Sequence, residues 1–400
     1  MRRRSSLLLL TLLLGCAAAP RPEATPRGLE PVLPGIDALE ADGFALLEGQ
    51  RVGLLTNRTG RTADGRRTID VLAGAEGFEL VRIFTPEHGL DSILEGDVGD
   101  SRDAVTGLPI RSLYGSSRRP QPEDLADLDV VLFDVQDVGV RFYTYSTTLL
   151  YLLEECATAG VGVAVLDRPN PIAPWGAMGP VSLPEHRAFI CPDDMPVAHG
   201  LTLGEFALWQ RARKGLDLEL TVVPVRGWRA TMHWEETGLA WIPPSPNLRT
   251  PEAAVLYPGV GLLEACNLSV GRGTDEPFLR IGAPWLDGRA LATHLRQSPI
   301  AGLVVTPITF VPEASRFAEE TCGGLHLQVI DRTTFRPVEA GLALAEALSI
   351  VGADRFTRGK VVERLAAPME EAGRSLRGWE GDGGRSAWWS AVQPHLLYER

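Results

Sequence analysis

Residues Asp129–Gln136 read DVVLFDVQ, four apolar side chains in unbroken succession closed by an acid. A strand with one wet face alternates apolar and polar residues, whereas a strand buried on both faces of a parallel sheet is apolar throughout. Four other stretches share the texture: RVGLLTN (Arg51–Asn57), LVRIFTP (Leu80–Pro86), VGVAVLDRP (Val161–Pro169) and LELTVVPV (Leu218–Val225). Segments of helical length separate them. Thr144–Ala159 runs TYSTTLLYLLEECATA into Gly160, a C-cap signal, and Thr202–Lys214 opens with Thr202 as N-cap and Glu205 at the capping-box position. The alternation predicts an α/β domain with a doubly wound parallel sheet.

Each of the first four strands ends in polar residues: Asn57, then Glu87 and His88, then Asp134 and Asp137, then Asp167 and Arg168. Open parallel sheets bind ligands at the carboxyl ends of their strands, so these groups are expected to converge on one crevice. From about Trp241 the texture changes. A Pro-rich WIPPSPNLRTP precedes a loop-like NLSVGRGTDEPF (Asn267–Phe278), a helix near Leu286–Arg296, strands at Leu303–Val311 and Leu325–Asp331, and helices near Ala340–Ile350 and Lys360–Ala366. This predicts a smaller α+β domain at 241–400 after a first domain at 35–240, the boundary falling between Arg229 and Arg249.

The 400 residues suit two domains, and a net charge of -12 opposes a nucleic-acid binder, which must neutralise phosphates with Lys and Arg. A small anionic ligand remains compatible if arginines gather locally. At the N-terminus, Arg2–Arg4, the short apolar run Leu7–Leu14 and LLGC ending at Cys16 form an export signal, far below the roughly 20 residues of a membrane span. It resembles a bacterial lipoprotein signal, which implies residues 1–15 removed, Cys16 lipidated, 16–34 as an Ala/Pro-rich tether, and a membrane-anchored protein of the cell envelope; a plain secretory signal is the alternative. Cys156, Cys191, Cys266 and Cys322 lack CxxC spacing and read as buried or free thiols, not as zinc or redox sites.

FTPEHG, Phe84–Gly89, places an acid and an imidazole at a strand end. An acid there can donate a proton, with the histidine tuning it or contacting a hydroxyl; the same pair can also be ordinary surface. The third strand continues DVQDVGVRFYTYSTT, with Asp134, Asp137, Arg141, Tyr143 and Tyr145 in the mixture of acceptors, cation and rings that suits a sugar. Tyr143 and Tyr145 can equally be core, and Asp137 a helix cap. LDRPNP offers Asp167, Arg168 and Asn170 on a stiff backbone, although the first two could be a structural ion pair. PPSPN holds Asn247, and LEACNLSVGRGTDEPF carries Glu264, Asn267 and Arg272 among glycines. No Walker lysine, GxGxxG, HExxH or GxSxG is present in these segments, so nucleotide, metal and serine-hydrolase chemistry lack a motif.

Taken in order, FTPEHG, DVQDVGVRFYTY, LDRPNP, PPSPN and CNLSVGRGTDEPF followed by RIGAPW resemble the exo-β-N-acetylmuramidases of the NamZ type, glycoside hydrolase family 171, formerly a domain of unknown function. The resemblance runs from about Gly35 to the C-terminus. It implies a Rossmann-like first domain, an auxiliary second domain completing the cleft, and release of N-acetylmuramic acid from non-reducing ends of peptidoglycan fragments, with muramyl saccharides as partners and no cofactor or metal. The family's PEHG motif falls on Pro86, Glu87, His88 and Gly89, which makes Glu87 the expected acid with His88 beside it, and its glutamate and asparagine fall on Glu264 and Asn267. This chain departs from the pattern at Ser92, Cys266 and Val270.

Glycosidases use two carboxyl groups; where the substrate's 2-acetamido group is the internal nucleophile, a carboxylate polarises it, a part expected of Asp134 or Asp137. The lactyl carboxylate is expected to meet Arg141 or Arg272. Asn57, Tyr143, Tyr145, Asp167, Arg168, Asn170, Asn247, Glu264 and Asn267 complete the expected sugar site. A non-catalytic sugar-binding lipoprotein and a metal-dependent wall hydrolase are the competing readings.

Overall fold

The apolar runs become strands, and the polar residues that follow them lie at or just beyond the strand ends. The computed structural model describes residues 30–92, 96, 99–115, 117–357 and 384–400. The first lobe contains, in chain order, α1 (Gly35–Ala41), β1 (Arg51–Thr56), α2 (Thr68–Ala73), β2 (Glu79–Thr85), β3 (Ser101–Arg102), β4 (Pro109–Ser112), α3 (Pro122–Leu125), β5 (Val130–Asp134), α4 (Tyr145–Ala159), β6 (Gly162–Leu166), β7 (Met178–Val181), β8 (Pro196–Ala198), α5 (Leu203–Lys214) and β9 (Leu220–Val223). Then follow α6 (Pro251–Leu263), β10 (Arg280–Ala283), α7 (Gly288–Gln297), β11 (Leu303–Phe310), β12 (Cys322–Val329), α8 (Pro337–Gly352) and α9 (Arg385–Val392). The expected signal at 1–15, Cys16, most of the tether and the helix near Lys360–Ala366 lie outside the described residues. Among the described residues no helix is long and apolar enough to cross a membrane.

The main sheet has the order β3-β4-β2-β1-β5-β6-β9, and every neighbouring pair is parallel except the edge pair β3–β4. Leaving aside β3, this is the Rossmann strand order, with the switch point between β1 and β5. The five strands expected from apolar texture are all present, as β1, β2, β5, β6 and β9. Helix α4 ends at Gly160 in the left-handed region (φ +69°), and α5 closes its capping box: Glu205 N–H donates to Thr202 Oγ1 (3.2 Å) and Thr202 N–H to Glu205 Oε2 (3.0 Å).

The second lobe is a three-stranded antiparallel sheet, β10-β12-β11, packed on α7, with α8 against α7 and α6. Helix α6 joins the lobes. It is apolar on every side and carries Pro258, and Gly259 lies so close to Gly341 of α8 that any side chain at either would strike backbone. One apolar core extends without a break from Leu55 through α6 to Val392. The chain end returns to the first lobe. The Tyr398 hydroxyl donates to Asp167 (2.6 Å), Arg400 pairs with Glu205, and Leu397 N–H donates to the same carboxylate (2.9 Å). The last tether residues are docked too: Val32 packs beside Trp228, and Leu33 exchanges backbone hydrogen bonds with Arg226.

The candidate active site

At the end of β2, Pro86 stops the ladder and the chain turns sharply: His88 (φ +74°) and Gly89 (φ +69°) are both left-handed, and Gly89 N–H donates to Pro86 C=O (3.1 Å). A residue with a side chain costs roughly 1 kcal/mol in this region, so His88 is held there by its surroundings. What holds the turn is a clamp from three other loops. Tyr145, at the first turn of α4, donates its hydroxyl to Pro244 C=O (2.6 Å), accepts from Asn57 Nδ2 (3.0 Å) and stands 3.4 Å from the Glu87 carbonyl. Thr144 donates from Oγ1 to Glu87 Oε2 (2.6 Å) and fixes the carboxyl group.

Glu87 thereby borders a cleft of about 260 Å³, room for one substituted sugar ring. Glu87, His88, Thr144 and Ser245 form its polar side. Phe142, Tyr143, Tyr257 and Phe278 form an aromatic wall in edge-to-face contact, with ring centroids 4.8 to 6.0 Å apart. Burial, with Tyr145 adding to it, pushes the Tyr143 phenol well above its ordinary value, so it stays a hydrogen-bond donor. Glu264, just past the end of α6, and Arg272 line the same cleft; the two form an ion pair, and the guanidinium lies over the Phe278 ring at 5.4 Å. Glu87 and Glu264 are the carboxylates of this lining.

The other expected residues do not converge here. Asp134 is wholly buried at the end of β5, where Arg168 (2.5 and 3.0 Å) and Thr68 (2.5 Å) take its two oxygens. Asp167 is likewise buried and accepts from Thr202, Tyr398 and the amides of Arg168 and Gly204; burial raises its pKa against these donors. Asp137 accepts from Gly139 N–H (2.6 Å) and lies 3.7 Å from the buried His199, while the N-cap of α4 is Thr144, so Asp137 closes its own turn and caps no helix. Asn170 bridges Leu201 C=O and Ile172 N–H.

Arg141 is fully buried away from the cleft, donating to the carbonyls of Met195 (2.5 Å) and Pro180 (3.2 Å), and burial lowers its pKa to about 10. It cannot meet a lactyl group from there. Asn267 ties the second lobe together through Arg355 C=O (2.7 Å) and Thr357 N–H (2.8 Å), and Asn247 is buried beside the Ser245–Leu248 edge of the cleft. Asn57 and Tyr145 serve as the clamp beneath Glu87. The four cysteines Cys156, Cys191, Cys266 and Cys322 are buried free thiols.

The strand ends expected to share a single crevice are therefore divided: Asp134 at the end of β5 and Arg168 after β6 pair with each other, whereas Asn57 after β1 supports the Glu87 turn. Thr144, Ser245, Tyr257 and Phe278 are cleft residues that sequence reasoning did not single out. Thr144 lay between two tyrosines that were, and Ser245 and Phe278 lay inside quoted motifs.

The chain matches the model of the N-terminal domain of exo-β-N-acetylmuramidase NamZ over residues 52–252 and that of its C-terminal domain over 255–372. It is 38% identical over 316 residues to the peptidoglycan β-N-acetylmuramidase NamZ of Bacillus subtilis, covering 78% of this chain and 76% of that one. Two crystal structures of DUF1343 family proteins from Bacteroides fragilis superpose on it, each covering 92% of this chain and 99% of theirs: one with TM-score 0.84 at 33% identity, the other with 0.74 at 27%. The chain belongs to the NamZ family of exo-β-N-acetylmuramidases.

Proposed function

We propose that this protein is an exo-acting glycosidase that releases N-acetylmuramic acid from the non-reducing ends of peptidoglycan glycan fragments, with Glu87 as its general acid. The observation that carries the assignment of Glu87 is its carboxyl group, fixed by Thr144 at the edge of a one-sugar cleft whose lining also holds an aromatic wall and a second carboxylate. Glycoside cleavage needs a proton for the leaving oxygen and negative charge for the oxocarbenium-like transition state. Glu87 gives the proton. Glu264, paired with Arg272, supplies the charge, and it is the group to polarise a 2-acetamido nucleophile, since neither Asp134 nor Asp137 lines the cleft. The rings cover the apolar face of the sugar, and His88 contacts a hydroxyl. Water is the co-substrate, and the reaction as proposed uses no cofactor.

The test is a disaccharide of N-acetylmuramic acid and N-acetylglucosamine, incubated with wild type and Glu87→Gln while the product anomer is followed by NMR. Release by wild type and its near-complete loss in the variant are expected; an equally active variant removes Glu87 from its role. Binding without release by the wild type would replace the enzyme with a sugar-binding protein.

We also propose export through the N-terminal signal and lipidation of Cys16, which would anchor the enzyme to a membrane of the envelope. Metabolic labelling with a fatty acid should mark the wild type and not Cys16→Ser. Equal labelling of both overturns this.

A further inference from the structure

Beyond the Glu264–Arg272 pair a second space opens, about 520 Å³ in volume, walled by the same two side chains and by Leu268, Ser269, Ser315 and Arg316. We propose that this lobe is a carboxylate-binding subsite in which Arg316 recognises the lactyl carboxylate of a muramic acid residue; this rests on the muramidase reading above.

The charge of the lobe points to an anion. It has two guanidinium groups and one carboxylate, and that carboxylate is spoken for by Arg272. Arg316 is exposed, and although Glu313, Glu319 and Glu320 are near it in the chain, it has no ion pair among the described residues. A solvent-facing arginine is common, but this one is carried by a built loop. Ser315, Phe317 and Glu319 hold left-handed backbone (φ +68°, +62° and +64°), a conformation non-glycine residues adopt only where contacts enforce it.

Those contacts are visible. Phe317 packs on the main core, Glu319 N–H donates to Pro312 C=O (2.8 Å), and Glu313 N–H donates to Gly273 C=O (2.8 Å). Gly273, left-handed at φ +78°, lies so close that a side chain would strike the backbone of Ala314. The loop bearing Arg316 is thus pinned to the loop bearing Arg272, which holds the backbone of the spare cation beside the lobe.

The carboxylate has two sources in a peptidoglycan chain: the residue being released, or the next muramic acid in the leaving glycan. Arg316→Ala separates them. kcat/KM is measured for a chromogenic N-acetylmuramic acid glycoside, for the muramic acid–glucosamine disaccharide and for the trisaccharide that adds a further muramic acid, together with inhibition by free N-acetylmuramic acid and free N-acetylglucosamine. If the released residue is bound, the variant loses about tenfold on all three substrates, mainly in KM, and on inhibition by muramic acid but not by glucosamine. If the leaving chain is bound, the loss of about tenfold is confined to the trisaccharide.

Unchanged values throughout, or equal losses for muramic acid and glucosamine as inhibitors, overturn the subsite. Arg316→Lys, which keeps the charge, should recover part of the loss. Failure of the wild type to release N-acetylmuramic acid at all would strike the enzymatic reading instead, and calorimetric binding of free N-acetylmuramic acid and N-acetylglucosamine to wild type and Arg316→Ala would still report on Arg316.

Discussion

Two groups of acidic residues stand at the carboxyl ends of the same parallel sheet, and they have opposite fates. Around Asp134 and Asp167 each carboxylate is buried and every oxygen has a donor from the chain itself: Arg168 and Thr68 for one, Thr202, Tyr398 and two amides for the other. Glu87 has one such bond, from Thr144, and is only half-buried beside a cleft. Position after a strand does not tell these cases apart. What does is whether the fold has already used the acceptor sites of the carboxylate, because an oxygen saturated by internal donors has nothing to offer a substrate.

The contrast predicts a double dissociation. Glu87→Ala should lower kcat by about 10²- to 10⁴-fold, as expected for a lost general acid, with the melting temperature nearly unchanged. Asp134→Ala should act the other way: it leaves the Arg168 guanidinium buried and unpaired, which costs about 3–5 kcal/mol in denaturant titration, while folded molecules keep their kcat. Should Asp134→Ala fold normally and lose only activity, the two regions would have to exchange roles.

A finer probe of the saturated region is Tyr398→Phe. Its hydroxyl donates to Asp167 and accepts from Val225 N–H (3.0 Å), so the change strips a donor from a buried carboxylate and an acceptor from a backbone amide. A loss of about 1–3 kcal/mol in stability is expected, with kcat/KM unaffected. If activity falls while stability holds, the returning C-terminus belongs to the catalytic machinery and not to the scaffold.

These fates explain what was legible in the sequence. The sheet was, since VVLF in Val130–Phe133 and its counterparts are apolar without alternation, as strands buried on both faces of a parallel sheet are. The acid of FTPEHG was legible as a candidate through its turn and its family motif. Helix α6 was not. PEAAVLYPGVGLL is apolar on all sides and carries Pro258, Gly259 and Gly261, so it has neither amphipathic period nor helix propensity, and it exists because it is wrapped in tertiary contacts. Tyr257 was lost with it. Arg141 misled for a related reason: a guanidinium amid aromatic residues suits a sugar, but its partners are the carbonyls of Pro180 and Met195, some 40 and 54 residues further along the chain, and no local pattern announces them.

The smallest expected effect tests saturation by pH. Asp103 accepts from Arg67 Nη1 (2.9 Å), from Thr106 N–H and from the Thr106 hydroxyl (both 2.8 Å). Burial alone would raise its pKa, but the Arg67 guanidinium and the Thr106 donors outweigh it and hold the carboxyl at about 2, below the ordinary 3.8. The unfolded chain therefore takes up this proton first as pH falls. The contribution of Asp103 is fully present above the unfolded value and is lost as pH drops through the folded one. Asp103→Asn should melt below wild type at neutral pH, and the gap between them should close between about pH 4 and pH 2. For Glu87→Gln, a carboxyl held by one threonine at an open cleft, no stability gap of this size should appear at neutral pH. A gap at Glu87 as large as that at Asp103 would mean that its carboxylate, too, is used by the fold.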